Sequence, residues 1–332
     1  MDFVIIFTKG ALSPEPFAML DSHQLNVFII AAETLSFSEA ARRLHMSQPS
    51  VSQHIQSLER HFQRELFMRT GRHVILSDAG RALLPLARDM VNRSESIEET
   101  MRSLDGEVYG HLHVGCSTTP GKYILPHLLA RFHRLYPQVK VSCHVASQEQ
   151  TVEMLCNDEI HFSVASAPYL NCRDVELWRY MTDPVVLIAP TDHPWAQHGQ
   201  IEPQELLDGV YIMREPGSGT RTAVSAGLAE FGIGLDELET LLVLGNPEAI
   251  ALSVQEGLGV GFVSSIVVTK LVQEGVAVVN VRGLNLEREI YIGRHALRPP
   301  TLAQAAFWEF VRGEPMADIN ELVVAPSVLL EL

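Results

Sequence analysis

The sequence predicts an α+β multidomain chain: three short helices and a hairpin, then one long linker helix, then two α/β lobes. Residues 22–76 place apolar side chains at steps of three and four and end in a Gly-centred turn. Residues 78–105 continue an apolar stripe with no break between elements. Beyond residue 110, strand-like and helix-like segments alternate, the pattern of βαβ units around a largely parallel sheet. A length of 332 residues, 46% apolar and 20% charged, suits two or three well-buried domains.

The first helix is expected from Ser22 as its cap, with Leu25, Phe28, Ile29 and Ala32 facing inward. The second, "SEAARRLH", is expected to be capped by Ser38 and to bury Ala41 and Leu44. Ser47 suits the cap of the third. Pro49 falls in its first turn, where a missing N–H costs nothing. That helix runs to about His61. Val51, Ile55 and Leu58 form one buried stripe, leaving Gln48, Ser50, Ser52, Gln53 and Gln56 outside. "ELFMRTGRHVILS" reads as a hairpin whose turn is flanked by Arg69 and Arg72.

The long helix carries Leu83, Leu86, Met90, Ile97, Met101 and Leu104 at steps of three, four and seven, a seam suited to a partner helix, with a kink expected at Pro85. The turn-rich "GEVYGH" marks a boundary. The divisions that follow are an extension (1–18), an N-terminal domain (19–77), a linker and dimerisation helix (78–105), lobe I (111–166 and 268–312), lobe II (167–267) and a tail (313–332).

The formal net charge is −15, so a protein coating nucleic acid over its whole surface is excluded. The acidity is regional, however: from Ser36 to Leu76 six Arg face three Glu, a window of about +3. Cys116, Cys143, Cys156 and Cys172 form no C-x-x-C pair and read as free thiols in a reducing compartment. The N-terminal apolar run follows Asp2 and precedes its one lysine, unlike a secretory signal, and no stretch has the length of a membrane span. A cytoplasmic protein is expected, with no cofactor and no metal.

A helix that enters the DNA major groove needs a packed inner face, short or amide side chains outside, and flanking cations. Gln pairs bidentately with adenine, and Ser approaches a base edge or a phosphate. Gln48, Pro49, Ser50, Ser52, Gln53 and Gln56 supply the outer face. Arg42, Arg43, Arg69 and Arg72 supply the phosphate contacts. A polar solvated helix face would show the same side chains. Two capped helices, a tight turn and an arginine-bearing hairpin together favour DNA.

"LSFSEAARRLHMSQPSVSQHIQSLERHFQRELFMRTGRHVILSDAG" resembles the N-terminal winged helix-turn-helix of the LysR-type transcriptional regulators, and the long helix and two lobes follow in that family's order. The resemblance implies a C-terminal effector domain of the periplasmic-binding-protein type. It also places Gln48, Pro49 and Ser52 at the DNA and Arg69 and Arg72 in the wing. Gln53 departs from it, because many members carry Arg there; an adenine or water-mediated contact would replace one to phosphate or guanine. The partners implied are double-stranded DNA with an inverted-repeat operator, a small anionic metabolite effector, and further copies of the chain. Those copies would form a homodimer through 78–105 and a homotetramer.

In the lobes, "GCSTTPGKYILP" sets Ser117, Thr118 and Thr119 between a strand and a helix, where hydroxyls and helix N–H groups receive anions. "REPGSGTR" repeats the arrangement with Ser218, Gly219, Thr220 and Arg221, and "GNPEAI" opens a helix at Asn246. Gln148 follows the second strand, and in the resembling family these segments face the cleft between the lobes. Plain helix capping explains each segment singly; their convergence favours an effector site. Both stretches are also similar to members governing carbon dioxide fixation or sulfur assimilation.

Enzyme chemistry is not expected. "PGSGT" lacks the spacing of a nucleophile elbow, no His is tied to a Ser or Cys, and "GLGVG" lacks the context of a dinucleotide turn. The competing reading is a two-lobed solute-binding protein without a transcriptional role.

Overall fold

The computed structural model describes residues 19–70, 73–105, 107–166, 174–271 and 274–313. The extension 1–18, Arg72, Cys172 and the tail beyond 313 lie outside the described residues. The chain divides into two compact units, one reaching Ile97 and one starting at Glu98.

In the first unit, α1 (Ser22–Thr34), α2 (Phe37–Arg43) and α3 (Gln48–Phe62) precede the antiparallel hairpin β1 (Phe67–Thr70) and β2 (His73–Leu76). The long helix α4 (Asp78–Arg102) follows, unbroken at Pro85. The expected caps move by one or two residues. Asp21 rather than Ser22 caps α1, and Ser36 rather than Ser38 caps α2, accepting the Glu39 N–H. Ser47 caps α3 as expected. Val51, Ile55 and Leu58 are fully buried against Leu25, Phe28 and Ala40. Burial of that size is worth about 1.5–3 kcal/mol per large aliphatic side chain. Glu59 pins the hairpin by accepting the Leu66 N–H at 2.9 Å. Ser77 closes the other end, donating to the Glu65 carbonyl and accepting the Gly80 N–H. Only glycine fits at Gly80, since a Cβ there would lie 2.2 Å from the Leu66 carbonyl oxygen.

The expected seam on α4 splits in two. Leu83 and Met90 pack into the first unit's own core, together with the buried Ala87. Leu86, Ile97, Met101 and Leu104 stay exposed.

The second unit contains β3 (Gly110–Cys116), a π-helical turn Pro120–Ile124, α5 (Leu125–Leu135), β4 (Val139–Val145), α6 (Gln148–Cys156) and β5 (Phe162–Ser166). It continues through β6 (Val175–Pro190), α7 (Pro194–His198), β7 (Gln200–Ile201), β8 (Val210–Arg214), α8 (Gly219–Ala229) and β9 (Glu239–Leu244). It ends with α9 (Pro247–Gln255), β10 (Val260–Ser264), α10 (Ser265–Leu271), β11 (Val276–Val281), β12 (Leu286–His295) and α11 (Leu302–Gly313).

Among the described residues one ten-stranded sheet runs β4-β3-β5-β12-β6-β10-β8-β9, with β11 beside β6 and β7 beside β11. It is mixed, which corrects the expectation of a largely parallel sheet. Two parallel triplets, β4-β3-β5 and β10-β8-β9, are joined by the antiparallel pair β6 and β12. β6 and β12 each contribute to two cores. β6 starts in lobe I, where Tyr180 and Met181 join that core, and ends in lobe II with Val185, Leu187 and Ala189. β11 belongs to lobe II through Val279 and Val281, and the return to lobe I happens inside β12. Pro184 sits within β6 opposite Glu287.

Candidate functional site

On the outer face of α3, Gln48 donates through Nε2 to Ser52 Oγ at 2.9 Å, so two of the expected DNA-facing side chains already hold one another. Pro49, Gln53 and Gln56 are exposed, and Ser50 is half-buried with its N–H given to Ser47 Oγ. Arg69 is exposed on β1. Arg42 and Arg43 are exposed at the end of α2, but both lean on Glu39, with Arg42 Nη2 2.7 Å from its carboxylate. Hydrogen bonding to Arg42 is the main cause holding the Glu39 carboxyl below its ordinary range. A phosphate would have to share or take these guanidiniums from Glu39.

In the second unit, the ends of β3 and β5 and the starts of α6 and α8 draw together. Ser117 N–H donates to the Val164 carbonyl, while the Oγ of Ser117 and the Oγ1 of Thr119 are buried with no hydrogen-bond partner among the described residues. Thr118, between them, is half-buried. Gln148 Oε1 accepts from Ser166 Oγ at 3.1 Å. Gly219 of lobe II presses on that pair: a Cβ there would lie 1.7 Å from Ser166 Oγ and 3.3 Å from Gln148 Oε1. Ser166 was not singled out from the sequence, because it ends a strand with no adjoining motif.

Other expected residues have structural employment. Ser218 caps α8 by accepting the Arg221 N–H at 3.1 Å. The Arg221 guanidinium donates through Nη1 to the Arg214 carbonyl at 2.7 Å. Thr220 Oγ1 accepts from Arg288, and Asn246 is an exposed cap that accepts the Glu248 N–H at 2.8 Å. Among the described residues no group of His, Cys, Asp and Glu is arranged to hold a metal.

Residues 22–81 match the family described as "bacterial regulatory helix-turn-helix protein, lysR family", and residues 105–315 match the "LysR substrate binding domain". The chain belongs to the LysR family. CmpR of Synechocystis, a transcriptional activator, is 33% identical over 277 residues, covering 81% of this chain and 88% of CmpR. A RuBisCO operon transcriptional regulator of Allochromatium vinosum is 32% identical over 292 residues, 88% of this chain and 95% of the relative. The Synechocystis CcmR regulatory domain in complex with 2-PG is similar at TM-score 0.55 and 28% identity, covering 60% of this chain and 95% of that one. Full-length CbnR complexed with its target DNA shares the fold at TM-score 0.63 and 24% identity, over 88% and 99% of the two chains.

This LysR-family chain is a DNA-binding transcription regulator with an effector-binding domain. The match at 22–81 leaves the alternative of a solute-binding protein without a transcriptional role unsupported. No helix among the described residues is long and apolar enough to cross a membrane.

Proposed function

We propose that this regulator reads an inverted-repeat operator with the outer face of α3, and that a small anionic metabolite in the cleft between the lobes changes how it holds that DNA. The carrying observation is the division of α3: Val51, Ile55 and Leu58 are buried, and Gln48, Ser52, Gln53 and Gln56 are left toward solvent. Arg69 and the Glu39-held Arg42 and Arg43 supply cations beside it. Arg72 is proposed as the second wing cation.

For the effector, the supporting features are the hydroxyls of Ser117 and Thr119, unpaired among the described residues, the first turns of α6 and α8, and the Gln148–Ser166–Gly219 contact. A related regulatory domain bound to 2-PG supports a small ligand in this kind of domain. Thr118, Ser218 and Thr220 border the same turns, while Arg221 and Asn246 would join only by leaving the carbonyl and the helix start they now serve. The cleft binds and releases its ligand unchanged, and the protein works in the cytoplasm.

The test is a gel shift with the DNA upstream of the protein's own gene, run across a salt series. Saturable binding that specific competitor removes before random competitor is expected, with affinity falling linearly against log salt. Replacing both Gln48 and Ser52 by Ala is expected to weaken specific binding by tenfold or more, from about 1–3 kcal/mol per base contact, and to leave random-DNA binding unchanged. Equal loss on both DNAs would sink the base-reading role.

The assembly proposed is a homodimer through 78–105, and from it a homotetramer. Leu86, Ile97 and Met101 are 61–67% exposed on α4, and Leu104, in the 3-10 turn Ser103–Asp105 that follows it, is 70% exposed. Ile97→Glu with Leu104→Glu is expected to halve the mass measured by light scattering while circular dichroism is unchanged. An unchanged mass would place the interface elsewhere.

A further inference from the structure

Lys122 and Tyr123 of lobe I reach across to one carboxylate of lobe II. Lys122 Nζ lies 2.5 Å from Glu248 Oε2, and Tyr123 Oη donates to Glu248 Oε1 at 2.6 Å. Both oxygens of one side chain are therefore used by residues about 125 positions away in the chain. The two partners ride on the π-helical turn Pro120–Ile124, an element rare in proteins and frequent where function demands it. That turn is held close to β3: a Cβ on Gly121 would come within 2.6 Å of Cys116 Sγ.

The Tyr123 ring packs against the lobe II cluster of Ile188, Ile212 and Ile250, although Ile124 and Leu125 beside it belong to the core of lobe I. Glu248 stands in the first turn of α9, where the helix start favours its negative charge. Burial alone would raise the Glu248 carboxyl, but hydrogen bonds from Lys122 and Tyr123 hold it below its ordinary value. Burial first, and then the bond to Glu248, pushes the Tyr123 hydroxyl up.

We propose that Lys122, Tyr123 and Glu248 form a latch that sets how often the two lobes close on each other when no effector is bound. They are positioning residues for the effector response. A ligand gripping both lobes binds the closed arrangement, so the closed fraction scales its apparent affinity. That functional meaning rests on the reading of the cleft as the effector site, whereas the latch itself is testable without any effector.

Hydrogen-exchange mass spectrometry on the full chain compares the parent with Glu248→Gln, Tyr123→Phe and Lys122→Met. Side-chain exposures of 38% for Lys122 and 24% for Glu248 keep the latch modest. About threefold to fivefold faster exchange is expected in the variants. The acceleration should appear together in 121–125 of lobe I and 247–251 of lobe II, while 162–166 and 260–264 keep their protection. Lys122→Met added to Glu248→Gln should change the rates little further, because the partner is already gone. Acceleration confined to α9 would reduce Glu248 to a local helix-start group and overturn the latch, as would unchanged exchange in both segments. Tyr123→Phe removes one hydroxyl from a packed ring, so it tests the latch even if Glu248→Gln misfolds. A failed exchange result leaves the cleft reading standing, and a cleft that binds no ligand leaves the exchange result standing.

Discussion

Asp183→Ala is expected to destabilise the effector domain by about 3–5 kcal/mol, the usual penalty for stranding one charge of a buried pair. Asp183 on β6 and Arg288 on β12 are register partners where the two lobes exchange strands, 0% and 7% exposed. Arg288 Nε donates to Asp183 Oδ2 at 2.7 Å, and Ser264 Oγ donates to Oδ1 at 2.6 Å. Arg288 Nη1 reaches Thr220 at the start of α8 at 3.1 Å. The network thus ties both crossover strands to β10 and to the turn carrying Gly219. Losing the carboxylate leaves a guanidinium with one hydroxyl partner in a water-poor site. The pair Asp183→Leu with Arg288→Met, which removes both charges, should recover most of the loss. Urea unfolding followed by tryptophan fluorescence checks this in the full protein, since Trp178, Trp195 and Trp308 all lie in the second unit. With a slope of about 2–3 kcal/mol per molar urea, the midpoint should fall by about 1–2 M. A fall under about 0.3 M would show that water or another group replaces Asp183.

Thr220 shows what the sequence left hidden. Beside Gly219 it looks like part of an anion turn, but its hydroxyl serves Arg288, 68 residues later in the chain. Nor does the sequence say which way Arg221 turns, since a guanidinium reaches forward into a cleft or back to a carbonyl with equal ease. Lys122 and Glu248 carry no local signal for each other. By contrast, the three-helix segment was legible because its stripe, Ser47 cap and Pro49 are all local. The caps of α1 and α2 slipped because "DSH" and "SFS" each offer two acceptable capping residues. Leu35 and Gln63 end α1 and α3 at φ 48° and 50°, without the glycine or asparagine that would have marked those stops. The crossover strands were the largest loss. A strand serving two cores shows no single alternation.

Lowering the pH from 7.5 to 5 is expected to weaken the effector domain, through a group of imidazoles on the sheet face of lobe I. The His113 ring lies 4.3 Å from His111, 5.1 Å from His161 and 6.3 Å from His144, centroid to centroid. The Nδ1 of His161 accepts the His113 backbone N–H at 3.2 Å, so that nitrogen must stay unprotonated. Burial, and then the neighbouring imidazoles, push His161 down to about 3 and His113 to about 4; burial also lowers His111. Glu99 favours the charged form of His111, while Lys140 and Arg298 oppose charge on His111 and His161 respectively. In the unfolded chain these groups titrate near 6.5, so between pH 6.5 and 4 it binds more protons than the folded one. Stability is therefore complete above about pH 6.5 and falls as the pH drops, until the folded imidazoles themselves protonate. At about 1.4 kcal/mol per pH unit per group, two fully enclosed imidazoles would cost about 4 kcal/mol at pH 5. The half-open sheet face reduces this to about 2–3 kcal/mol. The Glu39 and Glu248 carboxyls, held below their ordinary 4.5, contribute only at lower pH, so the interval from 7 to 5 isolates the histidines. The urea midpoint should drop by about 1 M between pH 7.5 and 5, and the doubly substituted His113→Leu, His161→Leu protein should lose most of that dependence. An equally steep fall in that variant would assign the acid sensitivity to other groups.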